Sequence, residues 1–405
     1  MTAAQTSSTG LRSALPLIVA GFVISFVVIG GGIDTVSVFL NAITTATDWS
    51  RSGLSLGVSI GAVMAAVSTP VVGAIVDRRG VRLPMAAGVA LLAIGFSILA
   101  AMQAPWHFVA ANVFLGPGFA ACALLPITVA VTLHVPERTA LALGIVGAGS
   151  SAGALVLAPV VQAVIQALGW RGTYMAMGAA VVFTPVPFLL FALPRGRLRA
   201  RDKGATADAA APLSLRRELR QPGVIPLAAV MILPGVASFS VAVHLVPYLA
   251  GLGHPATTAA AALGATIGIS AIGKIAGGFI ADRFGALFTL RLALLLDVVS
   301  LALLQYAGAP LTLAAFVMLY GLALGTQIAV IPTIAVSVIG TDRFGTLFGI
   351  LQLAAMLASA VGPVASGLIF DSTGHYSGAV MLWLAAMAAA ALIAWSMRTV
   401  ERAVA

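Results

Sequence analysis

Cysteine and charged residues are both scarce in this chain of 405 residues. The single cysteine, Cys122, excludes an intrachain disulfide and any metal site built from several thiolates. Charged residues make up only 8% of the chain, whereas an ordinary soluble domain has about 25%. The sequence also lacks a complete Walker loop, a His-Glu-x-x-His motif and paired cysteines, so we expect no enzyme activity, no cofactor and no metal.

Long polar segments are equally rare, because 60% of the residues are hydrophobic. Twelve apolar segments follow one another, each long enough to cross a bilayer as a helix. They cover residues 15–40, 53–76, 83–103, 106–134, 140–168, 172–193, 224–250, 257–281, 286–308, 310–339, 344–370 and 376–397. The sequence therefore predicts an all-α membrane protein with twelve transmembrane helices, and we expect the first span to be retained rather than cleaved as a signal peptide.

The polar stretch 194–222 is rich in arginine and divides the predicted spans into six and six. We predict an N-terminal six-helix bundle over 1–193, a basic cytoplasmic linker over 194–222 and a C-terminal six-helix bundle over 223–405. When the loops are assigned alternately to the two faces, eighteen of the twenty-one basic residues fall on the side of the termini. Basic loops mark the cytoplasmic side, so both termini are expected inside, in a plasma or bacterial inner membrane. This asymmetry explains the net charge of +9 without a nucleic-acid partner.

The two predicted halves repeat one another at an offset of 205 residues. The loop Gly-x-x-x-Asp-Arg-x-Gly, which ends at Gly80 after the second span, recurs after the eighth span and ends at Gly285. A second acidic–basic pair, at 137–138, recurs at 342–343. Duplication of a six-helix unit is typical of transporters built from parallel repeats.

One basic residue lies deep within a predicted span. Lys274 stands eight residues before Asp282, where the eighth span ends, and is therefore about 12 Å above that end. This depth is near the midplane of a hydrocarbon core about 30 Å thick, where a lysine costs roughly 2.5–3.5 kcal/mol. Small residues share its helical face, so that a neighbouring helix can approach or a ligand can fit. We interpret Lys274 as the first candidate for binding an anion, and the alternative is a side chain that reaches to the membrane interface.

Several short motifs resemble the major facilitator superfamily, and more narrowly its bacterial monocarboxylate transporter and oxalate/formate exchanger branch. The resemblance depends on Trp49-Ser50-Arg51, Pro70, Gly73, Asp77-Arg78, Gly169-Trp170-Arg171, His244-Leu-Val-Pro247-Tyr248, Gly362-Pro363, Gly367, Asp371 and Gly374. It implies two six-helix bundles that alternate access to a substrate site. The sequence departs from the family pattern where Lys274 replaces an arginine that binds the substrate carboxylate and Ser270 replaces an acid. His134-Val135 also replaces an aromatic pair before the fifth span.

The resemblance also implies that the first, fourth, seventh and tenth spans line a central cavity, with the second, fifth, eighth and eleventh beside them. Candidate substrate ligands on these spans, besides Lys274, are Asn112, His244, Tyr248, Tyr320, Gln327 and Gln352. Asp34, on a helical face shared with Ser37 and Asn41, and His244 are the candidates for proton coupling, because both side chains titrate. Structural alternatives stay open: an interfacial or capping acid for Asp34, an interhelical hydrogen bond for Asn112, and packing for the others.

Acidic–basic pairs in the cytoplasmic loops are candidates for gating, because an acid there can pair with a basic group or a helix end and hold one conformation. These residues are Asp77, Arg78, Glu137, Arg138, Asp282, Arg283, Asp342 and Arg343. Determination of topology by the arginines alone is the alternative. Asp297, in the ninth span, is expected to bond within the bundle or to a neighbouring helix and is assigned no transport role.

These predictions favour a secondary active transporter of a small organic anion, a monocarboxylate such as lactate, by proton symport and alternating access. Its partners would be the anion, protons and membrane lipid, with no nucleic acid, and we expect a monomer. An organic anion exchanger, a proton-coupled drug or cation exporter and a non-transporting membrane sensor are the alternatives. A drug or cation exporter would favour acids within the spans over a lone lysine, and a sensor would need a soluble signalling domain.

Overall fold

The computed structural model describes residues 15–122, 126–127, 130, 139–191, 223–339 and 344–397, and nearly all of them are helical. The helices are α1 (15–24), a π-helix (Ser25–Gly31), α2 (Val36–Ala46), α3 (Arg51–Arg79), α4 (Arg82–Ala100), α5 (Pro105–Cys122), α6 (Thr139–Phe183), α7 (Pro185–Phe191), α8 (Val224–Gly251), α9 (Ala256–Phe284), α10 (Ala286–Leu304), α11 (Pro310–Ile339), α12 (Phe344–Ser359), α13 (Val361–Thr373) and α14 (Ser377–Ser396). The predicted all-α class is confirmed.

Ten helices in the described part of the chain are long and apolar enough to cross a membrane. One of them, Gly144–Phe191, joins two helices at Gly169, whose φ of 69° and ψ of 169° are not helical. The fourth predicted span begins as α5, which has 18 residues, and then enters 123–138, where few residues are described. The multi-pass membrane architecture is therefore confirmed, and the count of twelve spans stays a prediction.

The first span is less regular than predicted. It extends to Ala46 instead of ending at residue 40, and it widens into the π-helix before a turn at 32–35. Three consecutive glycines, 30–32, explain the irregularity, because glycine is a poor helix former. Gly30 also lies against α6, where a Cβ would stand 2.6 Å from the Cα of Gly153. The glycines thus permit a close helix crossing and weaken the helix at the same point.

Both copies of the repeated Asp-Arg loop end their helices in the same way. α3 ends at Arg79 and α9 at Phe284, each one residue before the last glycine of the motif. Gly80 has a φ of 80° and Gly285 a φ of 91°, a region of the backbone map that favours glycine. Their N–H groups donate to carbonyls four residues earlier, each at 2.8 Å. The prediction that the eighth span ends at this loop is confirmed.

Contacts between Cα atoms divide the chain into two compact units, Met1–Ala200 with His254–Gly264, and Arg201–Gly253 with Ala265–Ala405. In the first unit, α5 packs against α3 and α4, and the π-helix packs against α6. In the second unit, α10 packs against α11 and α14, and α8 packs against α12, α13 and α14. The predicted linker 194–222 lies outside the described residues, so the proposed domain boundaries stay predictions.

Each unit contains the same close helix crossing. In the first unit, Gly116 of α5 lies against the carbonyl oxygen of Gly61 in α3. In the second unit, Gly321 of α11 lies against the carbonyl oxygen of Thr266 in α9, and both positions are 205 residues further along the chain. A Cβ on Gly321 would stand 2.7 Å from that oxygen. Because small residues allow membrane helices to approach closely, the duplication seen in the loops extends into the packing of the spans.

Candidate functional site

Lys274 lies half-buried in α9, where this helix crosses α11 of the same unit. Gly277 faces Thr326 of α11, and a Cβ on this glycine would stand 2.8 Å from the Thr326 Cα. Gly325 of α11 lies against the backbone of α9, since a Cβ on Gly325 would collide with the carbonyl oxygen of Ser270 and stand 2.8 Å from the backbone nitrogen of Lys274. The prediction that small residues around Lys274 admit a neighbouring helix is therefore confirmed.

Space remains on one flank of Lys274. Beyond its chain neighbours and the backbone of its own helix, Gly278, one turn further along α9, has no described heavy atom within 4 Å of the position that a Cβ would occupy. Ser270, one turn earlier, is buried, and its hydroxyl donates to the carbonyl oxygen of Ile267 at 2.7 Å. The position at which the family resemblance implies an acid thus holds a hydroxyl bonded to its own helix. A half-buried cation beside an open flank suits an anionic ligand.

His244 is fully buried in α8 and connects three segments of the second unit. Its Nε2 lies 2.8 Å from the carbonyl oxygen of Pro363, and its Nδ1 lies 2.9 Å from the Tyr376 hydroxyl. A carbonyl only accepts, so Nε2 carries a hydrogen, and in the neutral ring Nδ1 accepts from the Tyr376 hydroxyl. His244 therefore joins α8 to α13 and to the turn before α14. Both ring nitrogens are engaged in this conformation, so its roles in substrate binding and proton coupling stay predictions.

Tyr248 and Tyr376 extend this contact. Tyr248, one turn after His244, donates its hydroxyl to the carbonyl oxygen of Leu304 at 2.7 Å. Its ring meets that of Tyr376 nearly edge-on, with 6.0 Å between centroids. Tyr248 thus uses its polar atom inside the unit, and its role as a substrate ligand stays a prediction. Sequence reasoning missed Tyr376, since no pattern in the sequence pairs it with a histidine 132 residues away.

Gln327 and Tyr320 are directed into the interior of the second unit. Gln327 is 4% exposed and donates its side-chain N–H to the carboxylate of Asp297 in α10. Tyr320 is 2% exposed, its ring stacks on Phe316, and its hydroxyl lies near Ser238 of α8. The expectation that Asp297 bonds within the bundle or to a neighbouring helix is confirmed. To bind a substrate, Gln327 and Tyr320 would have to turn out of these positions, so that role stays a prediction.

The remaining candidates have different surroundings. Asn112 is half-buried in α5, where its amide donates to a carbonyl one turn earlier at 2.9 Å and its Oδ1 faces Gly61 of α3. This placement favours the helix-packing alternative. Gln352 is exposed on α12. Asp34 is half-buried in the turn 32–35, so the helical face predicted for it is wrong, because the helix is interrupted there.

The described part of the chain includes the side chains of only some gating candidates. Arg78, Asp282 and Arg283 are exposed at the ends of α3 and α9. Outside the described residues lie the Asp77 side chain, Glu137, Arg138, Asp342 and Arg343. The gating role of all these residues stays a prediction. In the part of the chain that the structure describes, no group of three or more His, Cys, Asp or Glu side chains could hold a metal.

These features define a class of protein. The chain is a multi-pass helical membrane protein with two units, repeated helix crossings and a cation in the middle of one span. A duplicated helical unit and an ionisable residue within the membrane are typical of secondary transporters.

The family model of the Major Facilitator Superfamily matches residues 22–296 and 269–405, and the chain belongs to this superfamily. Monocarboxylate transporter 12 of Rattus norvegicus is 28% identical over 309 residues, which cover 68% of this chain and 63% of the rat protein. Monocarboxylate transporter 11 of Homo sapiens is 27% identical over 334 residues, with coverage of 78% and 68%. The chain thus matches slightly less than two thirds of the rat relative, and its resemblance to the monocarboxylate transporter branch is confirmed.

Two solved structures share the fold over nearly the whole chain. The nucleoside transporter NupG has a TM-score of 0.76 at 14% identity, with coverage of 95% of this chain and 98% of that one. A bacterial homolog of the human lysosomal transporter Spinster, inward-facing and unoccupied, has a TM-score of 0.71 at 14% identity and covers 95% of both chains. At this identity the likeness shows the fold alone.

Proposed function

We propose that the protein transports a small organic anion, a monocarboxylate, together with a proton. The observation that carries this proposal is Lys274, a half-buried cation within α9 that has space beside it at Gly278. Relatives named as monocarboxylate transporters support the same class of substrate.

The chemistry of desolvation explains why this cation favours a carboxylate. An anion that leaves water loses the hydration of a full charge, and a fixed cation offsets that loss. A lysine at the centre of a span itself costs about 2.5–3.5 kcal/mol on insertion scales. Pairing of the two groups lowers both penalties, because the pair has no net charge. An ammonium acts as a compact point charge, so Lys274 would select a negative charge more strongly than a bidentate shape.

Proton coupling follows from charge balance. A monocarboxylate that moves with one proton carries no net charge across the membrane, so the membrane potential does not oppose its uptake. Before Nδ1 of His244 could accept a proton, the Tyr376 hydroxyl would have to turn from donor to acceptor in their hydrogen bond. Asp34 lies half-buried in a turn and is therefore the more accessible of the two candidates.

The same proposal includes the orientation of the chain in the membrane and a gating role for the Asp-Arg loops. We place both termini and the basic stretch 194–222 on the cytoplasmic side of a plasma or bacterial inner membrane, because basic loops remain inside. The repeated Asp-Arg loops would hold the cytoplasmic ends of the helices in one conformation at a time, and the protein would work as a monomer.

Uptake into liposomes tests the proposal. The probes are radiolabelled lactate, formate and oxalate, each with and without an inward proton gradient. Lys274→Ala should abolish anion binding and uptake but leave folding intact, because it removes a buried charge. Lys274→Arg should retain part of the activity. The matched control is Lys203→Ala, which removes the only other lysine of the chain, in the predicted linker, and should transport normally.

Two results would change the conclusion. Wild-type affinity for the anion in well-folded Lys274→Ala, measured by calorimetry, would remove Lys274 from the site. Uptake that requires an anion inside the liposome and ignores the proton gradient would replace symport by anion exchange.

A further inference from the structure

A buried acid in the second unit has no part in the mechanism proposed above. Asp297 of α10 has no exposed surface, and the Gln327 amide donates to its Oδ2. Its Oδ1 is buried and has no hydrogen-bond partner among the residues that the structure describes. An ionised carboxylate has about four lone-pair sites for donors. The charged form of Asp297 would therefore lack most of the donors that it needs.

The helices around Asp297 do not supply a compensating cation. α10 packs against α11 and α14, and neither of these helices contains an Asp, Glu, Lys, Arg or His within its bounds. On α10 itself the other charged side chain is Arg291, which donates to backbone carbonyls at the end of α14. His244 of α8 uses its Nε2 on the Pro363 carbonyl and its Nδ1 on the Tyr376 hydroxyl.

Tyr320 is the titratable group that faces Asp297 from α11. Its buried hydroxyl is within electrostatic reach of Asp297 and lies near Ser238 of α8, but it meets no described group with hydrogen-bond geometry. Gln327 and Tyr320 thus form a small polar cluster with the acid, in which Gln327 is the side chain hydrogen-bonded to it, while Ser238 lies beside the Tyr320 hydroxyl. Such a cluster suits an acid that is neutral in one conformation and charged in another.

We propose that Asp297 is a proton-binding site. In this conformation the carboxyl group is neutral, with Gln327 bonded to Oδ2 and the proton on Oδ1. When the second unit opens this interior to water, the O–H bond breaks, the proton passes to water, and the carboxylate accepts hydrogen bonds from Gln327, Tyr320 and water. Protonation of Asp297 does not depend on what the protein transports, whereas the use of this proton to drive anion uptake rests on the proposed function.

Infrared difference spectroscopy of the purified protein in liposomes tests the site without a substrate. We expect a protonated-carboxyl C=O band at neutral pH that shifts in D2O, disappears at alkaline pH and is missing in Asp297→Asn. The matched control is Asp48→Asn, because Asp48 is exposed after α2, and the band should persist there. Gln327→Met removes the donor to Oδ2, so the band should move to higher frequency, as a carbonyl stretch does when it loses a hydrogen bond.

The outcomes distinguish an acid that binds and releases a proton from one that is always ionised or always protonated. A wild-type spectrum at neutral pH without a band that depends on Asp297 would show an ionised group and overturn the proposal. A band that neither exchanges in D2O nor titrates would show a permanently protonated acid and overturn the release step. If Asp297→Asn does not fold, the frequency shift in Gln327→Met identifies the band instead, and the absence of any shift counts against the site.

Transport assays then distinguish this proposal from the proposed function. If the wild-type protein accumulates a carboxylate, Asp297→Asn should lose accumulation driven by the proton gradient and keep exchange of labelled for unlabelled anion. Equal accumulation by the wild type and the variant would overturn the coupling role. If the wild type moves none of the anions, the proposed function fails, and the infrared result still decides whether Asp297 binds a proton.

Discussion

The substitution Tyr376→Phe removes one oxygen atom from the contact that joins α8 to the turn before α14. Tyr376 is 5% exposed, and its hydroxyl lies 2.9 Å from the buried Nδ1 of His244. Without the hydroxyl, Nδ1 loses this donor, and the loss of a buried hydrogen-bond partner costs about 1–3 kcal/mol. The ring contacts with Phe370 and Tyr248, at centroid distances of 4.7 and 6.0 Å, are kept because phenylalanine has the same ring.

This cost should be visible as a lower unfolding temperature. In a domain of about 150–250 residues, 1 kcal/mol corresponds to about 2–4 °C, so we expect a decrease of roughly 2–12 °C. Thermal unfolding in detergent, followed by tryptophan fluorescence, measures it. The matched control is Tyr306→Phe, because Tyr306 is 71% exposed and its substitution should leave the midpoint unchanged.

An unchanged midpoint in well-folded Tyr376→Phe would refute the reasoning, because it would mean that the hydroxyl contributes nothing to the contact. Combination with His244→Phe adds a second check. The double variant should cost less than the sum of the two single variants, since each one removes the same hydrogen bond. Simple additivity would show that the two side chains act independently.

Two glycine positions give a paired prediction. Gly321→Leu should abolish the yield of folded protein in size-exclusion chromatography, because its side chain would collide with the Thr266 carbonyl at the crossing of α9 and α11. Gly278→Leu should fold normally but weaken anion binding in calorimetry at least tenfold, a loss of about 1.4 kcal/mol, because it fills the open flank of Lys274. Normal folding of the first variant, or normal binding by the second, would contradict these assignments.

Much of the fold can be predicted from the sequence, because the bilayer core offers the backbone no water with which to form hydrogen bonds. A chain segment that crosses a bilayer must satisfy its N–H and C=O groups internally, so a long apolar segment is helical. The helix end near Asp282 is predictable because charged residues and a glycine mark the membrane face. Length and hydrophobicity are averages over many residues, so they do not reveal a local break such as the turn at 32–35.

The candidate site was less predictable, because a polar side chain that avoids lipid can face either a cavity or a neighbouring helix. Hydrophobic patterns treat these two environments alike. Family resemblance predicts Gln327 and Tyr320 to line the cavity, yet the structure buries both inside the second unit. The partner of Gln327, Asp297, lies 30 residues away on another helix. Only Lys274 was identified from a physical cost, and its surroundings of small residues agree with the prediction.

The two halves share their helix crossings but differ in their polar residues. At the offset of 205 residues, the positions that correspond to Lys274, His244 and Asp297 hold Thr69, Phe39 and Leu92. The halves therefore share a framework, while the lysine, the buried imidazole and the buried acid belong to the second half alone. A chain made of two copies of the first half would keep the loops and crossings that shape the bundle and the proton-coupling candidate Asp34, but it would lack the lysine, the buried imidazole and the buried acid for which we propose roles in anion and proton binding.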